Sequence, residues 1–169
     1  MKILQTERLI LREFTSHDAG FVLELLNTPA WLQFIGDRGV RNLNDAQQYI
    51  QNKFISSYQT LGFGLYLIER KPNGVPIGAC GLIKREYLED VDIGFALLPE
   101  YINQGYAFEA SSAVLNYARS LKFPRLVAIT MVNNTSSIHL LTKLGLTFER
   151  MIKVPLEDEE LKLFKIDFT

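Results

Sequence analysis

Apolar residues alternate with polar or small ones along Val91-Asp92-Ile93-Gly94-Phe95-Ala96-Leu97, and the period then changes: Ala107, Ala110, Val114, Tyr117, Ala118 and Leu121 recur at helical spacing. A strand therefore leads through residues 98–105 into a helix. Earlier in the chain, a strand is predicted over 8–14, and Ser16 and Asp18 offer capping chemistry for a short helix through Leu26, which Asn27, Thr28 and Pro29 end. Trp31, Leu32, Phe34 and Ile35 form an apolar cluster before Gly36. A longer helix is predicted over 44–58, with Ala46, Tyr49, Ile50 and Phe54 facing inward. Strands follow over 64–70 and 76–84, joined by a turn whose Asn73-Gly74 pair favours a hairpin, and a third over 89–97 completes a meander. Residues 125–131 read as a buried strand, 134–144 as a helix, and 148–154 with 161–168 as a final strand pair.

Strands grouped early with helices inserted later predict an α+β fold, a mixed sheet covered by helices on both faces. The 169 residues fit one domain, 1–169, able to bury roughly 70% of its unfolded surface. A net charge of −1 with 22% charged residues lacks the basic excess of a nucleic-acid binder. No apolar run approaches the ~20 residues that span a bilayer, and residues 1–7 lack a signal-peptide core, so a cytoplasmic protein is expected. Cys80, the single cysteine, forms no internal disulfide and reads as a packing residue of a buried strand. His17 and His139 stand in no cluster with ligand spacing, so no metal is expected.

The segment Pro99-Glu100-Tyr101-Ile102-Asn103-Gln104-Gly105-Tyr106-Ala107-Phe108-Glu109 carries most of the functional signal. The first turn of a helix leaves backbone N–H groups unpaired at the positive end of its dipole, which suits a phosphate. Gly105 removes the Cβ that would hold a phosphate away, and Ala107 keeps the next position small. A Walker loop is excluded, because Tyr106 stands where lysine is needed; a Rossmann loop would need three glycines, and only Gly105 is present. One glycine at a strand-to-helix turn is equally an ordinary tight turn.

A second segment, Asn133-Asn134-Thr135-Ser136-Ser137-Ile138-His139-Leu140-Leu141-Thr142-Lys143-Leu144-Gly145-Leu146, follows in order. Together the two resemble the GNAT superfamily of acyl-CoA-dependent N-acetyltransferases, over nearly the whole chain. Glu7-Arg8-Leu9-Ile10-Leu11-Arg12 and the block from Asp92 to Ala110 resemble its Rim-type branch, which includes ribosomal-protein N-terminal acetyltransferases.

The resemblance implies a three-layer α/β/α fold whose two central strands, ending at Leu97 and Met131, splay apart to admit the pantetheine arm of acetyl-CoA. It implies that backbone amides around Phe95, Ala96 and Leu97 polarise the thioester carbonyl. Those of Asn103, Gln104, Gly105, Tyr106, Ala107 and Phe108 would hold the pyrophosphate, and Asn134 would contact CoA, although as an N-cap it needs no ligand. Asp92, on the strand face it shares with Gly94 and Ala96, is the leading general base, acting through water; the competing reading is an exposed strand charge. Glu109 reads instead as a carboxylate stabilising a helix dipole. Many relatives place a tyrosine acid where Leu141 stands here, so Ser137 is the candidate to hydrogen-bond the sulfur or carbonyl, against a purely structural role in the first helical turn. Ile102 stands where the family has Gln or Arg, which removes a side-chain contact but no backbone one.

The acceptor expected is a protein or peptide α-amine, with small amines such as polyamines, amino acids or aminoglycosides as the enzymatic alternative and a non-catalytic acyl-CoA-binding module as the other. Glu86, Glu89 and Asp90 fit a cationic acceptor or a solvated hairpin, and Trp31, Phe34, Tyr87 and Tyr101 fit an acceptor pocket or the core. Monomer and homodimer both remain open.

Overall fold

The computed structural model describes residues 1–168. Eight strands, β1 (Lys2–Gln5), β2 (Leu9–Arg12), β3 (Leu65–Arg70), β4 (Pro76–Ile83), β5 (Asp92–Leu97), β6 (Arg125–Met131), β7 (Thr147–Lys153) and β8 (Glu160–Asp167), form one sheet in the order β1-β2-β3-β4-β5-β6-β8-β7. All neighbours are antiparallel except β5 and β6. The expected α+β mixed, mostly antiparallel sheet is observed. The hairpin between β3 and β4 closes as its Asn-Gly pair predicts, with Gly74 at φ 66° and Arg70 N–H donating to Val75 O at 3.0 Å.

Helices cover both faces. On one, α5 (Tyr106–Ser120) lays Tyr106, Ala110, Val114, Leu115 and Ala118 against Leu9, Leu11, Ile68, Ile77 and Leu82 of the strands, joined by Leu141 of α6 (Thr135–Leu144). On the other, α1 (Ala19–Leu25), α2 (Pro29–Phe34) and α3 (Leu43–Tyr49) pack Val22, Leu25, Trp31 and Ala46 over Leu67 and Ala79. Each Leu, Ile or Val among them, taken fully from water, contributes about 1.5–3 kcal/mol before chain entropy is counted. Cys80 is fully buried, its Sγ 3.6 Å from the Ser111 hydroxyl, and burial pushes its thiol up to about 12, as befits a packing residue.

Five parts of the chain differ from the sequence expectation. β1 was not foreseen, and the strand expected over 8–14 is limited to Leu9–Arg12. The apolar cluster after Pro29 is helical: Thr28 caps α2, accepting from Trp31 N–H, and Pro29 is its first residue. The strand expected from 89 begins at Asp92. The helix expected over 44–58 becomes α3, a π-helical turn over Ile50–Ile55 and α4 (Ser56–Leu61). Ala46, Ile50 and Phe54 nevertheless face the core as expected.

Candidate active site

β5 and β6 are in register at Asp92 and Val127, where Val127 N–H donates to Val91 O at 3.0 Å, and beyond that pair they diverge. Along its other edge, β5 stays paired with β4 from Ile83↔Asp92 to Gly78↔Leu97. The result is a wedge-shaped gap in the middle of the sheet, with Asp92 at its apex and Leu97 and Met131 at its mouth. Leu98 N–H donates to Ile77 O at 2.8 Å, which sets the phase of the β4–β5 ladder. Because antiparallel bonding alternates, residues 92, 94 and 96 turn their backbone groups to β4, and the amides of Phe95 and Leu97 face the gap. Ala96 therefore lines the cavity with its methyl group rather than its amide, a correction to the expectation that all three would offer N–H groups.

At the mouth, the chain leaves β5 and enters α5 through Asn103 and Gly105, both left-handed at φ 64° and 83°. The sharp turn aims the start of α5 at the gap. Gly105, the N-cap, offers no side-chain acceptor, and the first helical bond is Glu109 N–H to Gly105 O at 3.0 Å. The amides of Tyr106, Ala107 and Phe108 thus have no partner among the described residues, which suits an anion. Gln104 is the exception among the expected loop residues. It does not line the cavity; its side chain folds back to Glu100 O at 2.9 Å.

A clamp unrecognised in the sequence fixes this loop. Glu109 accepts from the Thr6 hydroxyl, from Arg8 N–H at 2.9 Å and from Arg8 Nε at 2.7 Å, while Arg8 Nη1 reaches Gln104 O at 3.0 Å and the guanidinium covers the Tyr106 ring at 4.3 Å. Burial pushes the Glu109 carboxyl up, but these donors prevail and hold it below its usual value. Glu109 thus ties the turn between β1 and β2 to the loop.

α6 begins at the same mouth. The Asn134 side chain caps it, accepting from Ser137 N–H at 3.2 Å, so the first-turn amide is satisfied without the Ser137 hydroxyl, which makes no hydrogen bond among the described residues. Both residues line the cavity. Leu141 is 1% exposed and belongs to the core under α5. Lys143 Nζ lies 4.3 Å above the Phe108 ring, joining the two helix ends.

At the apex, Asp92 is 1% exposed, which excludes the reading of an exposed strand charge. Arg85 Nε donates to its Oδ2 at 2.9 Å, and its Oδ1 is buried without a partner. Burial pushes the Asp92 carboxyl above the usual carboxylate range, with Arg85 pulling the other way. Arg85 escaped the sequence reading because it lies in a charged hairpin. In that hairpin Glu86 lines the cavity, Asp90 pairs with Arg125 at 3.8 Å, and Glu89 is exposed outside it.

The gap opens into a cavity of about 1360 Å³ that runs from the start of α5 past Asp92 to a wall formed by α2, α3 and the π-helical turn. Trp31, Phe34 and Tyr87 line it. Tyr101 does not; it packs on Tyr106 behind the loop, with ring centroids 6.4 Å apart. His139 is on the cavity rim and His17 lies elsewhere. No cluster of three or more His, Cys, Asp or Glu able to hold a metal is present among the described residues, and no described helix is long and apolar enough to cross a membrane.

A sheet split between two parallel strands, with an unpaired helix N-terminus at the split, defines an acyl-CoA-dependent transferase fold. The profile of the Acetyltransferase (GNAT) domain matches residues 8–147, and the chain belongs to that family. It is 29% identical over 153 residues to a Bacillus subtilis (strain 168) protein described as the uncharacterized N-acetyltransferase YoaA, covering 89% of this chain and 86% of that one. The structure superimposes on a GNAT-family acetyltransferase from Bacillus anthracis with a TM-score of 0.80 at 24% identity, covering 99% and 98% of the two chains. It superimposes with a TM-score of 0.79 at 19% identity on RimL, a ribosomal L7/L12 alpha-N-protein acetyltransferase solved with coenzyme A, covering 99% and 98%. The protein is an N-acetyltransferase of the GNAT type, with acetyl-CoA as acyl donor.

Proposed function

We propose that the whole chain, 1–169, works as one domain that acetylates a primary amine by direct attack on acetyl-CoA, with a protein or peptide N-terminal α-amine as the preferred acceptor, as in the Rim-type branch. The observation that carries the reading is Asp92, a buried carboxylate with one oxygen free, at the apex of the gap between β5 and β6. The Rim-like sequence blocks and the fold shared with RimL support the acceptor class.

In this reading, the free amides of Tyr106, Ala107 and Phe108, with Asn103, Gly105 and Asn134 beside them, hold the pyrophosphate end of the donor. The amides of Phe95 and Leu97 meet the pantetheine arm and polarise the thioester carbonyl. The neutral amine attacks the carbonyl carbon; the C–N bond forms, the C–S bond breaks, and the amine proton passes through water to Asp92 Oδ1. The thiolate leaves, with the Ser137 hydroxyl as its hydrogen-bond donor in place of the tyrosine that Leu141 replaces; a thiol pKa near 8.5 makes that departure feasible with modest help. An α-amine with pKa near 8 is about 10% neutral at pH 7, whereas a lysine amine is below about 0.1%, so the α-amine asks less of the base.

The test is transfer of labelled acetyl to a panel of peptide N-termini and small amines. Acetylation of peptide α-amines with the best kcat/KM supports the reading; faster transfer to polyamines or aminoglycosides moves the acceptor to small molecules. Binding of acetyl-CoA without transfer to any amine would make the protein an acyl-CoA-binding module.

A further inference from the structure

Charge is unevenly distributed around the cavity. Five cationic side chains line it, Arg38, Lys53, Lys84, Arg85 and Lys143, against two carboxylates, Glu86 and Asp92. Lys143 sits at the mouth over Phe108, and Lys84 spends its Nζ on the carbonyls of Arg85 and Leu88. Arg38, Lys53 and Arg85 remain, on the wall beyond the apex.

Their partners are few. Arg38 and Lys53 form no ion pair among the described residues, and Arg38 lies against the Tyr49 hydroxyl. Arg85 gives only Nε to Asp92, so the two terminal nitrogens of its fork remain beside Tyr87 and the cavity. A separate observation comes from Trp31. It lines the same wall, is 6% exposed, and its buried indole N–H has no acceptor. Arg38 without an acid partner and Arg85 with its terminal nitrogens uncommitted, on the cavity wall that Trp31 also lines, make a site short of an acceptor.

We infer that the acceptor amine carries an anionic group, a carboxylate or a phosphate, that docks against Arg38 and Arg85 beside Tyr49 while the amine faces Asp92. The inference rests on the acetyltransferase reading and narrows its substrate. Of the two readings of Glu86, Glu89 and Asp90, it favours the solvated hairpin over the cationic acceptor, since Glu86 alone of the three lines the cavity. Planar forks that take two oxygens at once suit carboxylate and phosphate alike. The anion source is either a small amino acid or amino-phosphate or the acidic side chain of a peptide.

Trp31 is the only tryptophan of the chain, so its fluorescence reports on this wall directly. CoA-loaded protein is titrated by calorimetry and fluorescence with matched pairs: O-phosphoethanolamine against ethanolamine, β-alanine against its amide, and a dipeptide with an acidic second residue against its amide. The anionic member is expected to bind at least about tenfold more tightly and to change Trp31 emission. Arg38→Gln, at an exposed position, removes most of that preference, whereas Arg41→Gln, a nearby surface charge outside the cavity, leaves it. The pair with the largest ratio distinguishes phosphate, carboxylate and peptide sources. Equal or tighter binding of the neutral members, binding of neither up to about 10 mM, or unchanged Trp31 emission at saturation overturns the inference. Thermal stabilisation by acetyl-CoA, measured on the same sample, stands or falls separately and judges the acetyltransferase reading itself.

Discussion

The Arg85 guanidinium holds one oxygen of the Asp92 carboxylate at 2.9 Å and leaves the other, buried at the apex of the split sheet, without a partner. A structural ion pair in a core satisfies both oxygens; a base must keep one free. Asp92→Asn preserves shape and should lower kcat by at least about tenfold while acetyl-CoA affinity is retained. Steady-state kinetics with calorimetric CoA binding check this, and unchanged transfer removes Asp92 from the mechanism.

The same burial sets a pH signature. Protonated Asp92 cannot accept a proton, so activity falls as pH drops through its pKa, and because burial raises that pKa the acid limb lies above the ordinary aspartate value of 3.8. For stability the sign is opposite. A raised carboxyl favours the folded protein while protonated, and that contribution is lost as pH rises through the folded pKa. The pH profile of kcat/KM should show the limb in the wild type and lose it in Asp92→Asn.

Ser137→Ala separates chemistry from folding. The Asn134 side chain already caps α6 and the Ser137 hydroxyl has no partner among the described residues, so the melting temperature should stay within about a degree, a change below 0.5 kcal/mol. If the hydroxyl assists thiolate departure, kcat falls several-fold with KM for acetyl-CoA unchanged.

The phosphate loop is predicted to depend on Gly105 and Glu109. Gly105→Ala forces a side chain into φ 83° with its Cβ 3.2 Å from Arg8 Nη2, at a cost of about 1–2 kcal/mol. Wild-type protein at a hundredfold excess of acetyl-CoA over Kd gains about 2.7 kcal/mol, and the variant should lose part of that gain. Glu109→Gln weakens the clamp to Thr6 and Arg8 by about 1–3 kcal/mol. Its carboxyl is lowered below 4.5, so its contribution is present above that pH and lost as pH falls through the folded value. Thermal melts between pH 7 and 3 should be steeper for the wild type than for Glu109→Gln.

Restoring the family's tyrosine is not expected to restore an acid. Leu141 is enclosed in the core under α5, and Leu141→Tyr overpacks it by about 1–3 kcal/mol. A fall in the urea midpoint without a rise in kcat is the expected result.

Local pattern alone marked β5, α5, β6 and α6 and the order in which they meet, because apolar period and glycine position are properties of neighbouring residues. It also marked Gly105 and Asn134 as turn and helix-start residues, and the family resemblance added the cleft and Ser137 to them. Some local signals had two readings. Thr28 and Pro29 end one helix and begin α2, and the period of 3.6 gives no warning of the π-helical turn at Ile50–Ile55. Four residues of β1 gain their strand character only by pairing with β2.

What tertiary structure alone decided is which charges meet. Arg8 and Glu109 are 101 residues apart, and their contact follows from α5 crossing the end of β2. Arg85 finds Asp92, Asp90 finds Arg125, and Ala96 turns its amide to β4 because sheet register fixes the direction of every second group. The sequence determined that a strand, a phosphate-sized turn and a helix follow one another with an aspartate at the strand's start. Burial and register, which depend on chain segments far apart, made that aspartate half-satisfied and set Arg85 against it.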